Sequence, residues 1–243
     1  MTAPIGRSLK SISDFSDNVI ERARQEFSLA KPFRHVVIDG LWREDFLRAV
    51  AMEIETIKSW SGEKHFFGSM QKRYLDDWNL FPPTTHDFLS VLNSDKFCEL
   101  LSKITSEKSL WADPYLEGGG VHSTGPGGFL RMHTDFNWHQ RLKLVRRVNV
   151  LTYLNLDWKD SYFGDLLLAE EQRDSSLIVK KRISPIFNRT VIFVTDDQSF
   201  HGHPEPLACA EETRRNSIAT YYYQERKKSE RPTQKNRTNT DYR

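Results

Sequence analysis

A change of period near Trp111 constrains this chain more than any other feature of its sequence. Before it, apolar residues recur at helical spacing. After it, short β-branched and aromatic runs follow one another, separated by turn residues. Strands are expected near residues 115–123, 128–135, 146–154, 163–168, 177–183, 190–195 and 214–223. Short strands at that spacing fit a sandwich or jelly roll. Gly125-Pro126-Gly127-Gly128 reads as a hairpin turn joining the first two strands.

The first half has a different character. Asp17 is expected to cap a helix running to about Leu29, with Val19, Ile20, Ala23 and Phe27 at helical spacing, and Lys31-Pro32 ends it. Phe33 to Asp39 is strand-like. Arg43 to Ile57 carries Phe46, Leu47, Val50, Met52 and Ile54, the pattern of an amphipathic helix. Residues 59–82 read as a strand or two plus loop. Two further helices follow, 84–92 and 95–105, the second capped by Ser94. The expected organisation is therefore α+β, mainly β. A mostly helical part, 1–110, packs on one face of a jelly-roll core, 111–224. Residues 225–243 form a basic tail.

From Gln224 onward there are seven Lys/Arg against three Asp/Glu and almost nothing apolar, so the tail is expected to lack order. The net charge of the whole chain is only +2, which gives no case for nucleic-acid binding. Hydrophobic content of 38% with 15 Phe is enough for a sizeable core. Cys98 and Cys209 form no C-x-x-C pair, which fits a reducing compartment rather than a disulfide framework. No apolar run reaches the length of a membrane span, and no basic-then-apolar leader opens the sequence. A soluble cytoplasmic protein without membrane partners is the expectation.

Chemistry concentrates in the β-rich half. His133 and Asp135 stand two apart at a strand end, so both side chains leave one face. His201, 68 residues later, has enough intervening chain to return beside them. Two imidazoles and a carboxylate on one octahedral face leave adjacent positions open, the arrangement suited to non-haem Fe(II). His203 could face the same way and compete as ligand. On the last strand Arg215, Ser217 and Ala219 share a face. A guanidinium fork beside a hydroxyl suits a carboxylate. Tyr153, on the face that also carries Arg147, Asn149 and Leu151, could add a hydrogen bond.

In order and spacing, five segments resemble the Fe(II)- and 2-oxoglutarate-dependent oxygenases, in particular their prolyl-4-hydroxylase-like branch. They are Gly127–Asp135, Arg147–Asn155, Phe187–Phe193, His201–Pro206 and Arg215–Tyr221. The resemblance spans roughly residues 115–224. It implies a double-stranded β-helix, a jelly-roll variant. It implies His133, Asp135 and His201 as iron ligands, His201 being preferred to His203 because a small residue, Gly202, follows it. It also implies Arg215, with Ser217, Tyr153 and Asn149, around the far carboxylate of 2-oxoglutarate, with O2 as second cosubstrate and ascorbate as a reductant. One departure is visible: Phe163-Gly164-Asp165 stands where relatives often pair two glycines. Related halogenases carry a small residue in place of Asp135, so the carboxylate here points to hydroxylation.

The expected reaction is hydroxylation of an aliphatic C–H of a small molecule, an amino acid or other metabolite, with release of succinate and CO2. The alternatives are a prolyl-type hydroxylase acting on a protein and a non-catalytic metal-binding scaffold. Arg131, Asn137, Trp138 and Arg147 are the candidates for the substrate rim.

Overall fold

The computed structural model describes residues 8–13, 15–226 and 236–243. In chain order the helices are α1 (Leu9–Ile12), α2 (Asp17–Leu29), α3 (Glu44–Glu55), α4 (Pro83–Leu92) and α5 (Asp95–Thr105). The first strands are β1 (His35–Asp39), β2 (Gly62–Phe66), β3 (Ser69–Leu75), β4 (Trp111–Ala112), β5 (Gly120–Thr134) and β6 (Trp138–His139). There follow β7 (Leu144–Tyr153), β8 (Leu166–Glu171), β9 (Leu177–Ile183), β10 (Arg189–Val194), β11 (Phe200–His203), β12 (Arg215–Gln224) and β13 (Asp241–Tyr242).

All pairings between these strands are antiparallel, in the order β1-β10-β7-β12-β5-β11-β8-β9. The path curls at β5. Its first part, Gly120 to Thr124, pairs with β12, and its second part, Leu130 to His133, pairs with β11. One strand thus belongs to both layers of a jelly roll. The expected hairpin at Gly125–Gly128 does not form. Those four residues bulge between the two parts, opposite a single residue, Gln71, of β3. Their backbone turns outward instead. Gly127 N–H donates to the Leu207 carbonyl at 2.8 Å, and Leu207 N–H to that of Gly128 at 3.0 Å. Bulges of this kind let a strand turn a corner between sheets.

The helices cover one outer face, as the sequence indicates. β12 shows why. Ile218 and Tyr222 point into the same apolar cluster as Trp42, Phe88, Phe97 and Leu101 of the helical layer. Trp42 Nε1 donates to Thr190 Oγ1 at 2.9 Å, and the Tyr222 hydroxyl to the Leu92 carbonyl at 2.8 Å, so the polar ends inside that layer are paired. Arg215, Ser217 and Tyr221 point the other way, between the two layers of the roll. With both faces covered, every residue of β12 is buried.

Two departures lie outside the core. The strands expected in the helical half form, but they join the jelly-roll sheet itself: β1 pairs with β10, and β3 pairs with β5. The tail is not wholly without order either. Residues 227–235 lie outside the described residues, but 236–243 run along the edge of β5, where Asp241 and Tyr242 pair with Thr134 and His133. Arg237 secures this segment. Its backbone N–H donates to Asn137 Oδ1 at 2.8 Å, and its guanidinium reaches Thr134 Oγ1 at 2.9 Å and Asp197 at 2.7 Å.

Candidate active site

His133 and Asp135 sit at the end of β5, and His201 lies on β11 directly opposite His133. The cross-strand pairing brings the imidazoles together, with ring centroids 4.4 Å apart. His133 Nε2 lies 3.6 Å from Asp135 Oδ1, and His201 Nε2 lies 3.4 Å from Asp135 Oδ2. Each Nδ1 is within hydrogen-bond reach of a backbone carbonyl, Arg131 at 2.8 Å and Ser199 at 2.9 Å. Donation from Nδ1 to those carbonyls leaves each Nε2 lone pair facing Asp135. Octahedral ligands about 2.1 Å from an ion stand roughly 3 Å apart. The three ligand atoms all lie within 4.8 Å of one another, so they would hold a metal on closing inward around it. Among the described residues they are the one cluster of this kind. His203, the competing candidate, is buried and lines the same cavity but is not part of the cluster.

Asp135 is buried, which alone would raise its pKa. Arg146, His201 and His133 outweigh burial and hold the carboxyl well below its usual range. Arg146 Nη2 donates to Asp135 Oδ2 at 2.9 Å, and Asn149 Nδ2 donates to the same oxygen at 2.7 Å. Asn149 Oδ1 in turn accepts from Arg146 Nε at 2.8 Å and from Thr195 Oγ1 at 2.9 Å. The Asn149 amide, expected near 2-oxoglutarate, is thus committed to the carboxylate of the triad. Burial pushes the His201 imidazole down to about 4, so it is neutral at pH 7, the form that binds a metal.

At the other wall of the cavity, Arg215 Nε donates to the Gly164 carbonyl at 2.7 Å and Nη2 to the Tyr153 hydroxyl at 3.2 Å. Ser217 faces Tyr153 across the β12–β7 pair and also lines the cavity. The single glycine of the 163–165 stretch has a part in this. Gly164 holds φ +80°, and a Cβ there would stand 3.1 Å from Arg215 Cδ and 2.6 Å from Leu207. Glycine therefore lets the loop close on the guanidinium.

The four rim candidates are not brought together. Arg131 is exposed and lies over the Phe67 ring, 5.8 Å from its centroid. Asn137 binds Arg237, and Trp138 lies beneath Arg226. Arg147 fails for a reason that can be traced. The β7–β12 register shifts between Tyr222 and Tyr223, opposite Val148 and Arg146, so Arg147 is the extra residue of a bulge. The alternation of faces breaks there, and Arg146 takes the inward direction that strict period two assigns to Arg147. Arg146, Lys64, Lys72 and His122 line the cavity and are absent from the candidates read from sequence. Lys64 and Lys72 belong to a hairpin whose pairing with β5 has no local motif.

Residues 119–223 match the family model described as the 2OG-Fe(II) oxygenase superfamily. Three solved structures have the same fold. A prolyl-4-hydroxylase of Pseudomonas putida is 16% identical, with 86% of this chain and 100% of that one covered and a TM-score of 0.54. A Trichoplax adhaerens prolyl hydroxylase, in complex with a hypoxia-inducible-factor peptide fragment, is 16% identical, with coverages of 86% and 94% and a TM-score of 0.58. HygX of Streptomyces hygroscopicus, solved with nickel, 2-oxoglutarate and hygromycin B, is 15% identical, with coverages of 82% and 86% and a TM-score of 0.55. No curated protein matches the chain.

Fold and site together define an iron- and 2-oxoglutarate-dependent oxygenase. Residues 119–223 match the 2OG-Fe(II) oxygenase superfamily, and the His133–Asp135–His201 cluster inside that stretch is consistent with ferrous iron as metal and 2-oxoglutarate as cosubstrate. Among the described residues no helix is long and apolar enough to cross a membrane.

Proposed function

We propose that the protein hydroxylates an aliphatic C–H of a small molecule, consuming 2-oxoglutarate and O2 and releasing succinate and CO2. One observation carries this reading: the two Nε2 atoms and the Asp135 carboxylate converge on the wall of a cavity that also contains Arg215. In this reading His133, Asp135 and His201 hold the iron. Arg215, with Ser217 and Tyr153, holds the far carboxylate of 2-oxoglutarate. Iron and 2-oxoglutarate supply the oxidising chemistry when bound.

The chain's own residues do the rest. Arg146 and Asn149 orient Asp135, and the carbonyls of Arg131 and Ser199 fix both imidazoles. The mouth supports a small substrate over an extended peptide. The β5 edge beside His133 is already paired by β13. Tyr242 fills the space between Phe66, Phe67 and His133, with ring centroids 5.5, 5.9 and 5.4 Å away. A strand-forming peptide would have to displace that segment.

The test has two arms. Anaerobic addition of Fe(II) and 2-oxoglutarate should give the weak visible charge-transfer band of the chelated pair, which a metal-binding scaffold would lack. A small-molecule screen coupled to succinate release, followed by mass spectrometry, should find a product heavier by one oxygen atom. Turnover of peptides with none of small molecules would overturn the small-molecule reading.

A further inference from the structure

The cavity carries more positive charge than its metal and cosubstrate account for. Among the described residues Lys64, Lys72, Arg146 and Arg215 line it, against a single carboxylate, Asp135. Arg146 is answered by Asp135, with Nη2 and Oδ2 2.9 Å apart. Arg215, in the proposed function, is answered by the far carboxylate of 2-oxoglutarate. The two charges of ferrous iron exceed the one carboxylate that remains to chelate it. Among the described residues, Lys72 then has no counter-charge left in this cavity, and Lys64 has only Asp76, in the adjoining hollow and beyond ion-pair distance.

The two lysines are placed by strand register. Lys64 pairs with Lys72, Lys72 with Thr124, and Thr124 with Arg215, across four adjacent strands. Directly opposed residues project from the same face of a sheet. Lys64, Lys72 and Arg215 thus form one row, spanning roughly 14 Å at the usual strand spacing. Lys72 is buried at 8% exposure, and among the described residues neither ammonium has a carboxylate within ion-pair distance. Burial, with Lys64 and Arg215 adding to it, pushes the Lys72 amine down to about 7. The next group along the wall is also unanswered: His203 Nδ1 is buried with no hydrogen-bond partner among the described residues. A buried lysine without an ion pair, beside a buried ring nitrogen without a hydrogen-bond partner, marks a place built for a ligand rather than for the fold.

We infer that Lys72 and Lys64 form a subsite for an anionic group, a carboxylate or phosphate, on the substrate to be hydroxylated. This rests on the oxygenase reading and adds the substrate's chemical class. Lysine suits the role because its ammonium is a compact point charge that can follow an anion of either geometry. Position favours the substrate over the cosubstrate. Lys72 stands two strands from Arg215, and Lys64 three, at the side where the cavity adjoins a second hollow lined by Tyr74, Asp76 and Gly118.

The test uses the full chain loaded with nickel(II) and 2-oxoglutarate, as native protein and as Lys72→Met and Lys64→Met. The probes are matched pairs: amino acids against their carboxamides, and sugar phosphates against the parent sugars. Thermal shift reads binding, succinate release from the iron form reads turnover, and a separate titration gives the Kd of 2-oxoglutarate. We expect at least one acidic probe to be preferred by about tenfold or more over its neutral partner, a difference of about 1.4 kcal/mol. Either substitution should reduce that preference to near parity while the Kd of 2-oxoglutarate stays close to native. The inference is overturned if no acid or phosphate outbinds its neutral partner. It is equally overturned if the substitutions weaken 2-oxoglutarate and leave the preference intact. Failure of the native protein to bind 2-oxoglutarate would instead sink the oxygenase reading, and this inference with it.

Discussion

The guanidinium of Arg146 lies 2.9 Å from Asp135 Oδ2, with its Cζ 3.3 Å from the centroid of the Tyr221 ring. Both charged groups are buried, so each is the other's main compensation. Arg146→Met should leave Asp135 held by Asn149 alone and free to turn. The expected loss is about 10- to 100-fold in affinity for a divalent metal, the usual effect of removing a group that orients a ligand. Calorimetry with cobalt(II) measures it, and affinity within twofold of native would show that Asn149 suffices.

Asp135→Ala removes the third ligand and should abolish both tight metal binding and turnover. It also strands Arg146 as a buried charge, at a cost of about 3–5 kcal/mol in unfolding free energy. Asp135→Ala/Arg146→Met should recover most of that loss while remaining inactive. Urea denaturation of the two variants separates the structural role of the pair from its metal-binding role. A double variant no more stable than the single one would contradict the pairing energetics.

Gly164→Ala places a methyl group against Arg215 Cδ and Leu207, at a φ that side chains rarely adopt. The loop should back away and release the carbonyl that Arg215 Nε now uses. We expect a 2-oxoglutarate Kd raised by about tenfold, or about 1.4 kcal/mol, with metal affinity unchanged. A variant that lost metal and 2-oxoglutarate together would place Gly164 in the fold at large rather than in this contact.

How much of this was legible beforehand depends on the range of the interaction. Arg215, Ser217 and Tyr153 were readable because period two along an unbroken strand fixes which side chains share a face. The same rule fails at the start of β7: strict alternation turns Arg147 inward, and the bulge at that residue gives the place to Arg146. A bulge depends on the partner strand, so nothing local announces it. The 125–128 stretch reads in sequence as a hairpin turn and is a bulge within the single strand β5. A turn and a sheet-switching bulge ask for the same residues, and only the identity of the neighbouring strands tells them apart. β11, which carries His201, was not anticipated as a strand, being four residues long. The 236–243 segment was expected to be disordered on composition. Its order comes from Arg237 meeting Thr134, Asn137 and Asp197, contacts about 40 to 100 residues away in sequence.

That clamp is itself testable. Arg237→Ala removes the guanidinium bonds to Thr134, Asp197 and the Asp135 carbonyl. The segment bearing Tyr242 should then dissociate more often from β5. Mild trypsin treatment should release a C-terminal peptide several-fold faster than from the native chain. The rate should follow the fraction of time the segment is open, because reclosure is fast relative to cleavage. Cleavage at the native rate would mean that the Tyr242 ring contacts alone hold the segment.

Lys72 makes stability depend on pH in a definite direction. Its folded-state pKa is about 7, set chiefly by burial, against the ordinary 10.5. Below about 7 the amine is charged in both folded and unfolded chains, and the full penalty for burying it is present. Above 10.5 it is neutral in both, and the penalty is gone. Between the two the unfolded chain binds more protons, so stability rises with pH. Lys72→Met should lack that rise and be more stable than the native protein at pH 7, converging with it toward pH 10. Urea denaturation of the metal-free proteins at a series of pH values gives the difference directly, with the other titrating groups common to both chains. Parallel curves would mean that the ammonium keeps its ordinary pKa in the fold, and that the cavity is wet enough to solvate it.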